Sequence, residues 1–545
     1  MTPTDSVAAL RGAVEAAARA LRDGEPTGPR PTLERPPKPD LGDYSSNAAM
    51  LLAGALGDNP RAVAERLRGE LEGDPDLAPE LERIEVAGPG FVNFFLADSW
   101  YLRALGDLLA AGDEVGPNPT ESPERVLVEF VSANPTGPIH VGTGRNAAYG
   151  DSLARLLQAA GHEVEREYYV NDAGSQIGRF ADSLAARMRG HEPPEDGYAG
   201  EYVGEIAARL RAEGVDPADR ETLEERGIEE VLKEVEGSLE RFGVHFDNWF
   251  SERSLYAKGE VDEALAELEK RGHTYRHEEA LWLRTTDFGD DKDRVLIRSN
   301  GEATYLTPDI AYHWDKLQRG FERLVDVLGA DHHGYVARVR AAIEALGADP
   351  ERFEALTMNL VHIVEGGERV QMSKRTGDFV TLDELVEDIG VDATRWFMLW
   401  RSHETTVDLD LELARSQSSE NPVYYVQYAH ARIASILRKA KEEGASAEPA
   451  VGARAPLGES EKVLVKRLLE FPEEVRAAAA RRAPHRICAY STAVAADFHA
   501  FYRDCQVVGA EGEGVEASRL ALCLAARRTI AAALGLLGIS APERM

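Results

Sequence analysis

The chain is poor in cysteine and lysine and has no long apolar run. Its 545 residues include three cysteines, Cys488, Cys505 and Cys523, with no Cys-x-x-Cys spacing. This argues against a disulfide framework or a zinc site and predicts reduced, buried thiols in a cytosolic, cytoplasmic protein. No run of about eighteen apolar residues occurs, so no membrane span is expected. The N-terminus lacks a basic segment followed by an apolar core, so it does not read as a secretory signal. Lysine supplies eleven of the 62 basic residues, and the net charge is -33. One reading is a solvated acidic surface without specific meaning. Another is self-repulsion that excludes nucleic acid, which the basic clusters near the C-terminus weaken. The third, adopted here, is adaptation to molar salt, where the Debye length falls to about 3 Å. A halophilic archaeon would supply such a cytosol.

With 43% hydrophobic residues the chain reads as globular, and its length calls for about three domains. Residues 1–115 form a first unit. It opens with a helix whose apolar positions are Val7, Leu10, Val14 and Leu21, and contains strands at Arg83–Ala87 and Phe91–Leu96. A linker spans 112–124. Residues 116–410 alternate strand and helix, starting with a strand at Val126–Val131 and a helix over 142–160. A second strand follows at Glu163–Tyr169 and a second helix over 173–189. This order predicts an α/β domain with a parallel, Rossmann-like sheet. A charge-rich stretch over about 190–290 reads as an insertion. From 411 to 545 only helical patterns remain. The fold expected is therefore a parallel nucleotide-binding domain between a small α+β domain and an all-α domain.

The stretch from Ser132 to Asn146 holds two prolines, His140, Gly142 and Gly144 between a strand and a helix. Bare backbone N–H groups at a helix N-terminus suit a polyphosphate. Gly142, Gly144 and Ala147 also fit a dinucleotide fingerprint, with Glu163 and Glu165 as the distal acids. That reading fails on spacing, because the strand of a dinucleotide site runs directly into its first glycine. Simple helix-on-sheet packing is the remaining non-functional explanation. A second segment, Val370 to Gly377, carries Lys374 between Gly366-Gly367 and Gly377. A lysine delivered by a glycine-flanked loop suits charge developing on pyrophosphate. Alone, Met-Ser-Lys reads as an exposed basic turn.

Together the two segments resemble the signature motifs of class I aminoacyl-tRNA synthetases. His140-Val-Gly-Thr143 matches the His-Ile-Gly-His motif, with Thr143 where the family usually has its second histidine. Gln371-Met-Ser-Lys-Arg375 is similar to the Lys-Met-Ser-Lys-Ser loop, with Gln371 and Arg375 departing from it. The runs Val128–His140 and Thr381–Phe397 resemble the arginyl-tRNA synthetase family in particular. The resemblance implies catalytic roles for His140 and Lys374. It implies ATP contacts at Pro138, His140, Gly142, Thr143, Gly144, Met372, Ser373 and Lys374. It also implies Mg2+ with the ATP and tRNA binding before arginine activation.

An arginine pocket must hold a planar cation with five donors, which asks for acids and an amide or phenol. The resemblance places candidates at Glu129, Asn134, Tyr305, Asp309 and His333. Tyr305 and Asp309 are four apart and share a face if a helix starts near Pro308. Otherwise Thr307 reads as a helix cap, with Asp309 easing the dipole. Asn171, Asp172 and Gln176 follow the second strand and are further candidates. His332 and His333 are adjacent on an extended segment, so their side chains diverge, and no metal site is expected.

The C-terminal helices interleave arginines with aromatic residues, as a tRNA loop requires. The run Asn421–Arg432 and the tail Ser540–Met545 resemble the family's anticodon-binding domain. Leu41–Asn47 and Gly88–Phe94 resemble its additional N-terminal domain, which touches the tRNA corner. The tRNA candidates are Asn93, Phe94, Tyr425, Tyr428, Arg432, Arg482 and Met545. The expectation is an ATP-dependent arginine–tRNA ligase acting on L-arginine and tRNA(Arg), monomeric by default and without a resident metal. The rivals are a class I synthetase of another specificity and a non-catalytic tRNA-binding relative.

Overall fold

The computed structural model describes residues 6–22, 24, 30–112, 116, 119–330, 333–370, 380–446 and 456–545. The N-terminal domain comprises α1 (Ser6–Ala20), β1 (Leu33–Glu34), β2 (Tyr44–Ser46), α2 (Ala48–Leu56), α3 (Pro60–Glu72), β3 (Leu81–Ala87) and β4 (Phe91–Leu96). Its strands pair antiparallel in the order β1-β2-β4-β3. Residues 92–96 of β4 are all buried, so this strand lacks the alternation of a half-exposed one. Helix α4 (Asp98–Ala110) leads out of the domain and meets the C-terminal helices, where Lys462 pairs with Asp98 at 2.8 Å.

The central α/β domain begins with β5 (Arg125–Glu129), α5 (Val141–Ala159), β6 (Glu163–Val170) and α6 (Ser175–Met188). It continues through α7 (Glu201–Ala212), α8 (Arg220–Arg241), β7 (Asn248–Ser251), α9 (Glu252–Ala257) and α10 (Glu260–Lys270). A small antiparallel sheet follows, made of β8 (Thr274–His277), β9 (Ala280–Leu283) and β10 (Arg294–Ile297). Then come α11 (Leu306–Gln318), β11 (Arg323–Gly329), α12 (His333–Ala345) and β12 (Phe353–Met358). The domain closes with β13 (Val361–Glu365), β14 (Glu368–Val370), α13 (Leu382–Leu399) and β15 (Val407–Asp410).

The central sheet is parallel, in the order β12-β11-β5-β6-β7. Chain order reverses between β5 and β11, the switch point where open α/β sheets bind ligands. The stretch 190–290 is not a single insertion, which corrects the sequence reading. β7 lies inside it and forms the edge strand of the main sheet beside β6. Strand β5 also ends earlier than the pattern suggested. Val131 and Ser132 follow it in the left-handed region, at φ 70° and 40°. That conformation is costly for a β-branched residue and marks an enforced bend.

The C-terminal domain is helical: α14 (Leu411–Arg415), α15 (Pro422–Glu442), α16 (Glu459–Leu469), α17 (Phe471–Ala480), α18 (His485–Asp504) and α19 (Val515–Leu536). Cys488 and Cys523 are buried in α18 and α19, and their surroundings push both thiols up. No described helix is long and apolar enough to cross a membrane. Buried Arg395 of α13 ties three parts of the chain together. It pairs with Asp151 of α5 and donates to Phe242 O after α8 at 3.1 Å and to Leu537 O after α19 at 2.8 Å.

Candidate active site

His140 is the N-cap of α5. Its Nδ1 accepts from the Thr143 N–H at 3.3 Å, an arrangement that suits the tautomer with its proton on Nε2. Nε2 lies 3.0 Å from Thr143 Oγ1. The threonine oxygen thus accepts from the ring and keeps its own O–H for another partner. A Cβ on Gly142 would come within 3.0 Å of that ring, and one on Gly144 within 2.8 Å of Leu382. Glycine at both positions lets the His140 ring and the Leu382 side chain pack directly on the helix backbone. Pro138 is half-buried just before the cap.

The segment that follows Lys374 in the chain, from Val380, is hydrogen-bonded to this first turn. Val141 N donates to Val380 O at 3.2 Å, and Leu382 N donates to Ile139 O at 2.8 Å. Thr381 then caps α13 in a capping box with Glu384. Residues 371–379, including Met372, Ser373 and Lys374, lie outside the described residues. Their chain exit is nonetheless fixed beside His140.

The bend after β5 turns the chain toward β6. Ser132 Oγ donates to Glu129 Oε1 at 2.9 Å and accepts from Tyr169 N at 3.1 Å. Glu129 Oε2 pairs with Lys316 at 2.6 Å, so both oxygens of this buried acid are engaged internally. Lys316 also pairs with Asp326 at 2.9 Å, and His313 Nε2 lies 3.1 Å from the other Asp326 oxygen. Burial works against the Asp326 charge, but Lys316 and His313 hold its carboxyl down at about 2. Burial pushes Glu129 up against the pull of Lys316.

Asp309 contrasts with that group. It forms no ion pair among the described residues. Burial, together with Glu129, Glu252 and Asp326, pushes its carboxyl up to about 8. Glu252 at the start of α9 is buried and is also raised by desolvation; the Tyr169 phenol beside it opposes that shift. With its amide turned over, Asn171 donates to Glu252 Oε2 at 2.8 Å. Asn134 Oδ1 lies 3.3 Å from the Gln176 amide nitrogen. Tyr305 stands one turn before Asp309, 76% exposed, at the head of α11. That helix starts at Leu306 with no side-chain cap, and the Thr307 hydroxyl donates to Leu296 O instead. His333 begins α12, and its side chain lies outside the described residues.

Sequence reasoning missed Glu252, which sits in no motif. Asp172, a pocket candidate, is committed elsewhere. It accepts from Ser251 Oγ at 2.6 Å and Arg253 N at 3.0 Å, and thereby holds Glu252 at the head of α9.

Three of the tRNA candidates need correction. Phe94 is fully buried in the core of the N-terminal sheet, and Asn93 is nearly so, accepting from Ser45 Oγ at 2.6 Å. In this structure neither side chain is presented at the surface. Arg482 is paired with Glu354 of β12 at 3.0 Å, and its carbonyl accepts from Tyr149 of α5. It is an interdomain tie. Tyr425, Tyr428 and Arg432 instead line an open cavity of about 670 Å3 with Tyr424, His499 and Tyr502. The Arg432 guanidinium lies 4.4 Å from the Tyr502 ring centre, and Tyr424 stacks on Tyr428. Met545 is exposed.

A helix capped by His140 at the switch point of a parallel sheet fits the architecture of class I adenylating enzymes. The family models agree. "Arginyl tRNA synthetase N terminal domain" matches 8–96, "tRNA synthetases class I (R), catalytic domain" matches 105–196 and 214–415, and "DALR anticodon binding domain" matches 426–545. The arginine–tRNA ligase of Oceanobacillus iheyensis is 44% identical over 525 residues, covering 94% of each chain. That of Shouchella clausii is 47% identical, covering 95% of each. The Thermus thermophilus arginyl-tRNA synthetase structure superposes with a TM-score of 0.76 at 29% identity, over 99% of this chain and 100% of that one. The chain belongs to the arginyl-tRNA synthetase family.

Proposed function

We propose that this protein joins L-arginine to tRNA(Arg) in two steps. The arginine carboxylate attacks the α-phosphate of ATP, giving arginyl-adenylate and pyrophosphate. A hydroxyl of the terminal tRNA ribose then takes the arginyl group and releases AMP. No protein nucleophile is required, and the rate comes from positioning and charge stabilisation. His140, the free O–H of Thr143 and the backbone at Gly142 and Gly144 face the phosphates, with Pro138 shaping the turn. Met372, Ser373 and Lys374 complete the ATP site. The described residues gather no His, Cys, Asp or Glu group fit to hold a metal. As in the family it resembles, Mg2+ would arrive on the ATP, held by phosphate oxygens and water.

The observation that carries the specificity is the pair of acids, half-buried Asp309 and buried Glu252, left without an ion-paired cation among the described residues. A guanidinium supplies the missing charge and a planar fork of donors. Asn134, Tyr305, Glu129 and His333 are further candidates for contact with the arginine. The cavity at Tyr425, Tyr428 and Arg432 suits an unpaired base, because it offers stacking faces and a cation. Burial and Arg432 lower the pKa of His499, which keeps that ring neutral for stacking. Met545 is a further tRNA contact. The enzyme works as a cytoplasmic monomer in molar salt, a reading supported by its charge of -33.

A charging assay with all twenty amino acids on total tRNA tests this. Only arginine is expected to be transferred, with activity held or rising from about 0.1 to 3 M KCl. Transfer of another amino acid would overturn the specificity, and a collapse by about 0.5 M would overturn the salt reading.

A further inference from the structure

Arg145 lies on α5 one turn beyond the helix start and is completely enclosed. It has no carboxylate partner among the described residues. Its terminal nitrogens make three hydrogen bonds, all to main-chain carbonyls. One nitrogen donates to Asn359 O at 2.8 Å and Thr405 O at 2.9 Å, the other to Ser402 O at 2.9 Å. Burial lowers its pKa to about 10. A buried cation without a counter-ion is a costly way to fill space, and an apolar side chain of similar volume would do so more cheaply. What a guanidinium adds is a rigid fork that fixes several acceptors at once.

Those three acceptors belong to two crossing turns. One joins β12 to β13 and the other joins α13 to β15. They are knotted to each other: Asn359 N donates to His403 O at 2.8 Å, Val407 N to Leu360 O at 3.0 Å, and Asn359 Nδ2 to Glu404 O at 3.0 Å. Thr406 Oγ1 donates to Asn359 Oδ1 at 3.1 Å. From this knot β13 and β14 run as a hairpin to Val370, where the lysine segment begins. The chain returns at Val380, which is bonded to Val141. Both stems of that segment are thus referenced to the first turns of α5, the exit by backbone pairing and the entry through Arg145.

We propose that Arg145 is a positioning residue that sets the β13–β14 stem relative to His140 for the adenylation step. The inference rests on Lys374 acting on the phosphates, and the test separates the two ideas. ATP–pyrophosphate exchange is measured with tRNA present, for Arg145→Lys, Asn359→Ser and Lys374→Ala, alone and combined, with thermal melting as the control for folding. Asn359→Ser loosens the same knot without touching a buried charge, so it covers the case in which Arg145→Lys misfolds.

Lys374→Ala alone should lower kcat by about 100-fold or more. Arg145→Lys should lower kcat by about 10- to 100-fold, with the KM for arginine within about twofold, because a misplacement near 1 Å costs that much. Asn359→Ser should cost about fivefold. In the Lys374→Ala background each should cost less than about twofold, since there is no lysine left to misplace. Full additivity in that background would overturn the proposal, as would an unchanged kcat in a variant that melts like the parent. An inert Lys374→Ala would instead overturn the lysine assignment on which the proposal rests.

Discussion

Two pairs of acids meet at α11, and they are handled in opposite ways. Glu129 and Asp326 share Lys316, with His313 closing the second oxygen of Asp326. Asp309 and Glu252 have no such cation among the described residues, and burial drives both carboxyls up. The first set is self-sufficient, and its work is to hold β5, β11 and α11 together. The second is an unbalanced charge deficit that a ligand must complete. The number of acids is the same in each, so what marks a binding site here is the missing counter-charge.

The largest effect that would break this contrast comes from Lys316→Met. It leaves Glu129 without a cation and Asp326 with His313 alone, and should cost about 3–5 kcal/mol, read by denaturant unfolding. Adding Glu129→Gln and Asp326→Asn should recover most of that loss. If the single variant is as stable as the parent, the first set is not an ion-paired core.

Asp309→Ala comes next. It should raise the KM for arginine about 100-fold or more, with the KM for ATP and the melting temperature little changed. An unchanged KM would sink the guanidinium assignment. Glu252→Gln should act in the same direction.

A smaller effect concerns protons. With its carboxyl at about 8, Asp309 is mostly protonated at neutral pH in the empty site. The guanidinium favours the carboxylate, so binding must release that proton. Arginine affinity should therefore rise about tenfold per unit as pH increases toward 8 and level off above it. Calorimetric titration in buffers of different ionisation enthalpy should show the released proton, and Asp309→Asn should abolish it.

Much of this architecture is legible in the sequence because its signals are local. The strand–helix alternation gives the parallel sheet. The proline and glycine spacing around His140 gives the turn at the head of α5. Glu252 is illegible for the opposite reason. It begins a short helix in a charge-rich stretch, and its meaning depends on Asp309, which reaches it only through the folded sheet. Arg482 could not be told from a free arginine, because its partner Glu354 is distant in sequence. Phe94 and Asn93 misled because β4 is covered on both faces, so a buried strand and a base-contacting one look alike.

The grip of Arg395 on three parts of the chain leaves no room beside Gly538. Its φ is +67°, and any side chain there would run into the Arg395 guanidinium. One added methyl group at the far end of the chain therefore acts on the helix that begins at His140. Genetically, this makes Gly538 a natural place for conditional alleles. Cells carrying a slightly larger residue there would grow at low temperature and fail when warmed, although the altered position touches neither nucleotide nor amino acid.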